Sequence, residues 1–258
     1  MLSVLALLWI LGSSLKETRA IFAAPWGPPT LPLHFENFSV AWLTTDLVTA
    51  ARNTTFVVSV ATFFIVAIAA PASYSLSRAD FAGAEALTRF FAIGIGIPIQ
   101  AILVPLFLLA NRLHMLDKLL GLIVVYVGVS LPFTVFLLTG FFRSIPTELE
   151  EAAYIDGATV FNTFLRVILP LARSGLITAA ILNAVGLWNE FLLALSMINS
   201  NANFTLPLGI VNMYDGLRYT SNWAALFAGV VIVVLPITIV YLFLTDQIIE
   251  GLTLGAGK

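Results

Sequence analysis

Long stretches without a charged residue constrain this chain more than any other feature of its sequence. Four of them contain 22 to 27 residues each, and they cover 53–77, 90–111, 119–142 and 219–245. A helix needs about 20 mostly apolar residues to cross the hydrocarbon core of a bilayer. Each stretch is therefore long enough to be a membrane span.

Two further apolar stretches are less regular. One covers 174–198 and is interrupted only by Glu190. The other covers 1–15, and as a helix it would rise only about 22 Å, which is short for a span. A signal peptide would normally carry a basic residue ahead of its apolar part, and none is present here. We interpret this stretch as the outer part of a first span whose natural start lies upstream.

These stretches predict a single transmembrane domain over 1–258. Its six approximate spans are 1–15, 53–77, 90–110, 119–142, 174–198 and 223–245. Several prolines fall inside the spans, where they kink helices and free backbone carbonyls that neighbouring helices must satisfy. The basic residues divide evenly between the two sides of the membrane, so the positive-inside rule gives no orientation.

The composition also favours a membrane protein built of helices. Hydrophobic residues make up 60% of the chain and charged residues 10%, with a mean hydropathy of +1.01, whereas soluble domains carry about 25% charged residues. The apolar stretches lack the alternation of a β-barrel, so we predict an all-α membrane fold.

The sequence also excludes several kinds of chemistry. The absence of cysteine excludes disulfides and thiol chemistry. His34 and His114 are not in a metal-ligand spacing, and no basic block suggests nucleic-acid binding.

The segment 143–173 is the most polar part of the chain and carries 7 of the 26 charged residues. Its pattern predicts two short helices. Thr147 followed three residues later by Glu150 is typical of a capping box, and Gly157 is expected to end the first helix in the left-handed conformation. The second helix is predicted to end at Leu169–Pro170. Its apolar face is predicted to consist of Val160, Phe161, Phe164, Val167 and Ile168.

The spacing within this segment resembles the EAA loop of permease subunits of ATP-binding-cassette importers. The matching residues are Glu151-Ala152-Ala153, Gly157, Val167 and Leu169-Pro170; the family usually has isoleucine where Val167 stands. Trp188-Asn189-Glu190-Phe191 and the end of the chain, Gly251 to Lys258, resemble sugar-importer permeases. Together these motifs resemble the smaller six-span subunit of maltose-type carbohydrate importers. An amphipathic hairpin that merely covers the ends of the helices is the alternative interpretation of the loop.

The resemblance implies a six-span type I importer permease fold with a cytoplasmic EAA loop. The protein would then lie in the inner (plasma) membrane of a bacterial-type cell, with both termini in the cytoplasm. The implied function is transport of a sugar or a related polyhydroxylated solute. The implied partners are a second homologous permease, two copies of an ATPase subunit and an extracytoplasmic solute-binding protein, besides membrane lipid.

No Walker A motif occurs in the sequence. The chain is therefore expected to be a permease without ATPase activity, with ATP and magnesium bound by the partner ATPase and no cofactor in this chain. The resemblance places the contact with that ATPase on small and charged residues of the loop. They are Glu151, Ala152, Ala153, Asp156, Gly157, Ala158, Leu169 and Pro170.

Polar residues in the spans are candidates for the solute path, because hydroxyl-rich solutes need polar partners and an acid inside a span is costly. These candidates are Gln100, Asn183, Asn189 and Glu190. A solvated Glu190 near the outer headgroups is the alternative. Aromatic residues of the predicted outer loop 199–222 are candidates for contact with the binding protein, or for an interfacial belt. They are Phe204, Tyr214 and Tyr219.

Two other classes of function remain open on the sequence alone. A secondary transporter or channel, not driven by ATP, would be expected to show intramembrane acids or inverted repeats, and Glu190 is the only acid inside a predicted span. An intramembrane enzyme would need a nucleophile with a base, or a metal pair. The predicted spans contain no histidine, cysteine or aspartate.

Overall fold

The computed structural model of this chain describes residues 2–29, 31–44, 46–78 and 83–256. It describes the side chains of these residues except those of 2–3, 44, 217–220 and 240–256. Within these ranges the regular structure is entirely helical. The first half of the chain forms α1 Leu2–Ser14, α2 Thr18–Ala23, α3 Glu36–Thr44, α4 Leu47–Ser77, α5 Ala84–Gly96, α6 Ile99–Arg112 and α7 Leu119–Arg143. This content confirms the predicted all-α class.

The second half continues through shorter elements to a long last helix. Its α-helices are α8 Glu148–Ile155, α9 Val160–Thr163, α10 Leu169–Leu171, α11 Arg173–Trp188, α12 Leu192–Met197, α13 Leu206–Thr220 and α14 Trp223–Ala256. A π-helical turn, Phe164–Ile168, joins α9 to α10, and a 3₁₀ turn, Asn201–Asn203, precedes α13.

Two helices of the described chain are long and apolar enough to cross a membrane unbroken. These are α4, with 31 residues, and α7, with 25. Two bent helix pairs would raise the number of spans to 4 if each pair is one span. Shorter apolar helical segments cover Val4–Ser14 and Trp223–Ile239. The total of six spans stays a prediction.

The predicted span 90–110 is not one continuous helix. It is divided between α5 and α6, which meet at an angle of 102°. The break lies at Ile97 and Pro98, where Ile97 is extended with φ −82° and ψ 114°. Proline disfavours the α conformation in the residue before it and lacks the amide hydrogen needed to continue a helix. The sequence predicted kinks at prolines within the spans, and that α5 and α6 together form one span stays a prediction.

The predicted span 174–198 is interrupted as well. Helix α11 ends at Trp188 and α12 begins only at Leu192. The carboxylate of Glu190 lies in this break and accepts hydrogen bonds from the amides of Leu193, at 2.7 Å, and Ala194, at 3.1 Å. These amides are donors that the first turn of a helix leaves unsatisfied, so Glu190 caps α12.

The described chain divides into two compact units. The first contains the described residues of Met1–Phe56, Leu116–Leu119 and Trp188–Leu242. Its core is built mainly of small residues and a few larger ones. The buried members are Ala41, Leu47, Ala50, Leu206, Met213, Ala225 and Ala228. Gly209 lies at this core, and a Cβ added there would lie 3.2 Å from the Cβ of Ala50.

The second unit contains the described residues of Val57–Met115, Leu120–Leu187 and Phe243–Lys258. Its core lies under residues 143–173, which we call the EAA loop and which belong to this unit. The aromatic and larger aliphatic members are Tyr74, Leu76, Leu138, Phe141, Phe142, Ile145, Phe164 and Ile168. Because α4, α7 and the π-helical turn all supply side chains to this core, the loop has a rigid base.

Candidate docking site

Helix α8 opens the EAA loop, but not with the predicted capping box. Thr147 is the N-cap residue, and its side chain makes no capping hydrogen bond. The amides of Glu150 and Glu151 donate to the carbonyl oxygen of Thr147, at 2.9 Å and 3.1 Å. Glu150 does not fold back to the helix start, because its side chain turns into the protein and the residue is only 6% exposed. The capping-box prediction was therefore wrong.

Buried Glu150 is bonded through both carboxylate oxygens. Arg78, which follows α4, donates from Nε to Oε1 at 2.6 Å, and the hydroxyl of Tyr74 donates to Oε2 at 3.0 Å. The same guanidinium donates from Nη2 to the carbonyl oxygen of Ile145 at 2.9 Å. A buried carboxylate needs such partners, since leaving one unpaired costs several kcal/mol. The start of α8 is therefore fixed to the end of α4.

An aromatic cluster lies beneath this ion pair. The ring of Tyr74 lies 5.0 Å from that of Phe164 in the π-helical turn and 5.9 Å from that of Phe142 at the end of α7. Phe142 is fully buried and Phe164 is 8% exposed. Three elements of the second unit thus meet at Tyr74, which both packs against the loop and donates a hydrogen bond to it.

Gly157 ends α8 as predicted. Its φ is +80°, in the left-handed region, where glycine avoids the steric cost of a Cβ. The Gly157 amide donates to the Tyr154 carbonyl at 3.0 Å, and the Ala158 amide donates to the Ala153 carbonyl at 2.9 Å. This pair of bonds is a Schellman motif, which satisfies carbonyls at the helix end. The prediction for Gly157 is confirmed.

Beyond Gly157 the loop exposes large apolar side chains. Ile155 is 86% exposed, Phe161 68% and Val160 64%, whereas Phe164 and Ile168 are buried. The predicted apolar face of the second helix is therefore only half correct. Phe164 and Ile168, in its C-terminal part, belong to the core beneath the loop, whereas Val160 and Phe161, one turn earlier, are exposed.

We define the docking surface as the exposed residues around the turn from α8 to α9. It combines apolar side chains, two small residues and two acids at its edge. Its members are Glu151, Ala152, Tyr154, Ile155, Asp156, Gly157, Val160 and Phe161. Of the other predicted contact residues, Ala153, Ala158 and Leu169 are half-buried and Pro170 is exposed. Such an exposed apolar patch is typical of an interaction site.

The second half of the loop extends one residue past the predicted end at Leu169–Pro170. It continues through Pro170 to Leu171 before a bend of 73° into α11. A π-helical turn directly precedes α10, and insertions of this kind are frequent at functional sites. Pro170 is next to the last residue of this segment, which runs from Val160 to Leu171.

Two of the predicted solute-path residues lie in the second unit. Asn183 is buried in α11, where its Nδ2 donates to Thr134 Oγ1 at 2.9 Å and to the Ala179 carbonyl at 2.8 Å. Both of its amide donors therefore bind within the protein. Gln100 is exposed in the first turn of α6, directly after the Pro98 break.

The remaining predicted residues lie in the first unit. Asn189 is exposed and Glu190 half-buried in the break after α11. Phe204 is half-buried, and its carbonyl oxygen accepts from Asn53 Nδ2 at 2.9 Å. Tyr214 is 40% exposed, with its ring 6.0 Å from that of Trp223. Tyr219 lies outside the described side chains.

Sequence reasoning missed a carboxylate that holds the segment ahead of α13 in place. Asp117 Oδ1 accepts from the amides of Asn199, at 3.0 Å, and Ser200, at 2.9 Å, and from the Ser200 hydroxyl at 2.9 Å. The Ser200 amide makes the largest contribution to lowering the pKa of Asp117 below its usual range. Asn203 adds a bond to the Asp117 carbonyl oxygen at 2.8 Å. The one sequence signal for Asp117 is its place in the short charged segment 112–118, between the apolar stretches 90–111 and 119–142.

Comparison with known proteins identifies the architecture. The family described as binding-protein-dependent transport system inner membrane component matches residues 64–251. The diacetylchitobiose uptake system permease protein NgcG of Streptomyces coelicolor is 35% identical, over 98% of this chain and 83% of its own length. The trehalose transport system permease protein SugB of Mycobacterium tuberculosis is 33% identical, over 99% of this chain and 93% of its own length.

A solved structure shares the fold. It is the crystal structure of a bacterial ABC transporter involved in the import of the acidic polysaccharide alginate, and one of its chains superposes with a TM-score of 0.80 at 22% identity. The match covers 95% of this chain and 90% of that one. The predicted importer-permease fold is thereby confirmed.

Proposed function

The chain belongs to the family of binding-protein-dependent transport system inner membrane components, and from this premise we propose that it imports a sugar, using its EAA loop to dock an ATPase. As a member of that family it is a multi-pass membrane subunit of a transporter complex rather than an ATPase. A secondary transporter or channel is not favoured, since the family and its relatives work in complexes with other components.

The observation that carries the proposal is the docking surface. Ile155, Val160 and Phe161 are each more than 60% exposed, although they lie on a segment that is fixed from below by the Arg78–Glu150 pair. An apolar surface of this kind is costly to leave in water. A protein partner that covers it would remove the side chains from water, and the small residues Ala152 and Gly157 would allow close approach of its backbone.

The proposed complex contains a second permease, two ATPase subunits and a solute-binding protein outside the membrane. ATP and magnesium are bound by the ATPase, which supplies the energy that this chain does not generate. The docking surface therefore faces the cytoplasm, and both termini lie on the same side. The segment around Ser200 faces outward, where the binding protein delivers its solute.

The proposed substrate class is a sugar or a related polyhydroxylated solute, with a short oligosaccharide as the first candidate. The names of two relatives, which specify diacetylchitobiose and trehalose, support it. Asn189 and Glu190 lie at a break in the helices, where carboxamide and carboxylate groups could meet hydroxyl groups along the path. Gln100 holds a similar place after the Pro98 break.

The orientation is tested by labelling introduced cysteines, because the chain has none of its own. Ser200→Cys should react with a membrane-impermeant thiol reagent in intact cells. Ser144→Cys, which is also a serine variant in a loop, should react only after the membrane is opened. The reverse pattern would refute the proposed orientation.

Transport is tested with the complex reconstituted into lipid vesicles together with its binding protein. We expect uptake of a labelled disaccharide to require ATP, and ATP hydrolysis to rise when the loaded binding protein is added. Uptake driven by an ion gradient without ATP would contradict the proposal. Dependence on ATP with amino acids or inorganic ions instead of sugars would contradict only the substrate class.

A further inference from the structure

A non-covalent contact connects the segment that carries the docking surface to the end of α4. Along the chain, the loop continues into α7 before it and α11 after it. Arg78 adds a third connection, to α4, from a position 72 residues away from Glu150. Its guanidinium holds the loop at two points, the Ile145 carbonyl ahead of α8 and the Glu150 carboxylate within α8. Two directed bonds from one planar group fix orientation as well as distance.

Stability alone does not explain why this pair is buried. The side chains of Arg78 and Glu150 are only 17% and 8% exposed. Replacing a buried ion pair by apolar residues of similar volume is often neutral or stabilising, so a buried pair is weak evidence for a stabilising role. Directed bonds are, however, suited to carry a displacement between two rigid elements, which is how coupling between distant sites travels.

We propose that Arg78 and Glu150 are positioning residues that transmit movement of the docking surface to α4. When the ATPase displaces α8, the ion pair moves the end of α4 with it, so the movement enters the membrane through α4 in addition to α11. Tyr74 supports this connection, since it donates to Glu150 and lies in α4 itself. This inference rests on the proposed docking of the ATPase.

The test is a paired replacement that removes the directed bonds without leaving a charge unpaired. Arg78→Met combined with Glu150→Met keeps two long apolar side chains in the buried space. A matched control is offered by Arg89 and Glu85, which form an ion pair of the same length, 2.6 Å, but are 73% and 80% exposed. Arg89→Met with Glu85→Met removes the same charges from the same unit.

Three quantities are measured on the reconstituted complex: the amount of ATPase that co-purifies, the rate of ATP hydrolysis and the solute transported per ATP. We expect both paired variants to retain the ATPase. In the Arg78/Glu150 variant, transport per ATP should fall about tenfold, a ratio typical of coupling between sites, while the control stays at the unmodified value. The single variant Glu150→Gln, which can still accept from Tyr74, should show an intermediate loss.

Either of two results would overturn the proposal. Unchanged transport per ATP in the Arg78/Glu150 variant would show that the pair carries no movement. Loss of the ATPase from that variant alone would show that the pair only maintains the shape of the docking surface. Failure of the proposed function is a different result, because the unmodified permease itself would then fail to retain an ATPase or to transport with ATP.

Discussion

Substitutions of Gly157 separate the two effects that a side chain would have at the docking surface. Gly157 has φ +80°, and a Cβ added there would meet nothing within 4 Å among the described residues. Within the permease alone, Gly157→Ala should therefore cost only the left-handed penalty, about 1–2 kcal/mol. Gly157→Asn should cost less, since asparagine adopts this conformation more readily than alanine. Thermal unfolding of the purified permease would show alanine as the less stable variant.

Retention of the ATPase should follow the opposite order. Asparagine fills more of the space in which we place the ATPase than alanine does, and overpacking a contact costs about 1–3 kcal/mol. That cost corresponds to a loss of affinity of roughly 5- to 160-fold. Gly157→Asp should be the weakest binder, because it adds a charge beside Asp156. The assay is titration of the purified ATPase onto the solubilised permease.

A second glycine provides the control. Gly83, at the start of α5, has φ +103°, and a Cβ added there would also meet nothing within 4 Å among the described residues. Gly83→Asn makes the same chemical change outside the docking surface, so it should leave ATPase affinity unchanged. If affinity instead follows the stability order of the variants, or Gly83→Asn weakens binding equally, then Gly157 is not at a contact and the reasoning fails.

Two further predictions concern other parts of the chain. Gly175→Ala should destabilise the permease by about 1–3 kcal/mol, because the new Cβ would lie 2.5 to 2.7 Å from ring atoms of buried Phe141. Thermal unfolding measures this loss. Gly186→Ala is the control that should not lose stability, because a Cβ there meets none of the described atoms within 4 Å. Asp117 has a lowered pKa in the folded state, so its stabilisation of the segment 199–203 should be fully present above its ordinary pKa, near 3.8, and lost as the pH falls through the lowered value. Proteolysis of the segment at acidic pH should increase for the unmodified chain, whereas Asp117→Asn should be susceptible at neutral pH too; equal resistance of both would contradict the role of Asp117.

The end of helix α8 could be predicted because it depends on neighbouring residues. Gly157 ends α8 in the left-handed conformation, since a short polar helix followed by glycine has few other ways to satisfy its last carbonyls. The residues that contact distant parts of the chain could not be predicted in this way. Glu150 fits the capping-box pattern, and only the folded chain brings Arg78 and Tyr74 to its carboxylate.

The helix breaks show the same division. Pro98 and Glu190 were visible in the sequence, but their consequences depend on their surroundings. Pro71 lies inside the unbroken helix α4, whereas Pro98 separates two helices at 102°. Hydropathy reports only how long an apolar stretch is, and it cannot distinguish a straight span from a broken one. The exposure of Val160 and Phe161 was equally hidden, since their periodicity matches that of buried residues.

The central claim is that the docking surface contacts an ATPase, and a cross-link tests it most directly. Because the chain has no cysteine, Ile155→Cys provides a single reactive site on a side chain that is 86% exposed. Leu31→Cys is the matched control, at 87% exposed. With a short membrane-permeant reagent that carries one thiol-reactive group and one photoreactive group, Ile155→Cys should give a cross-linked product containing the ATPase after illumination, and Leu31→Cys should give none. If Ile155→Cys reacts with small thiol reagents but yields no product with a co-expressed ATPase, the account is contradicted.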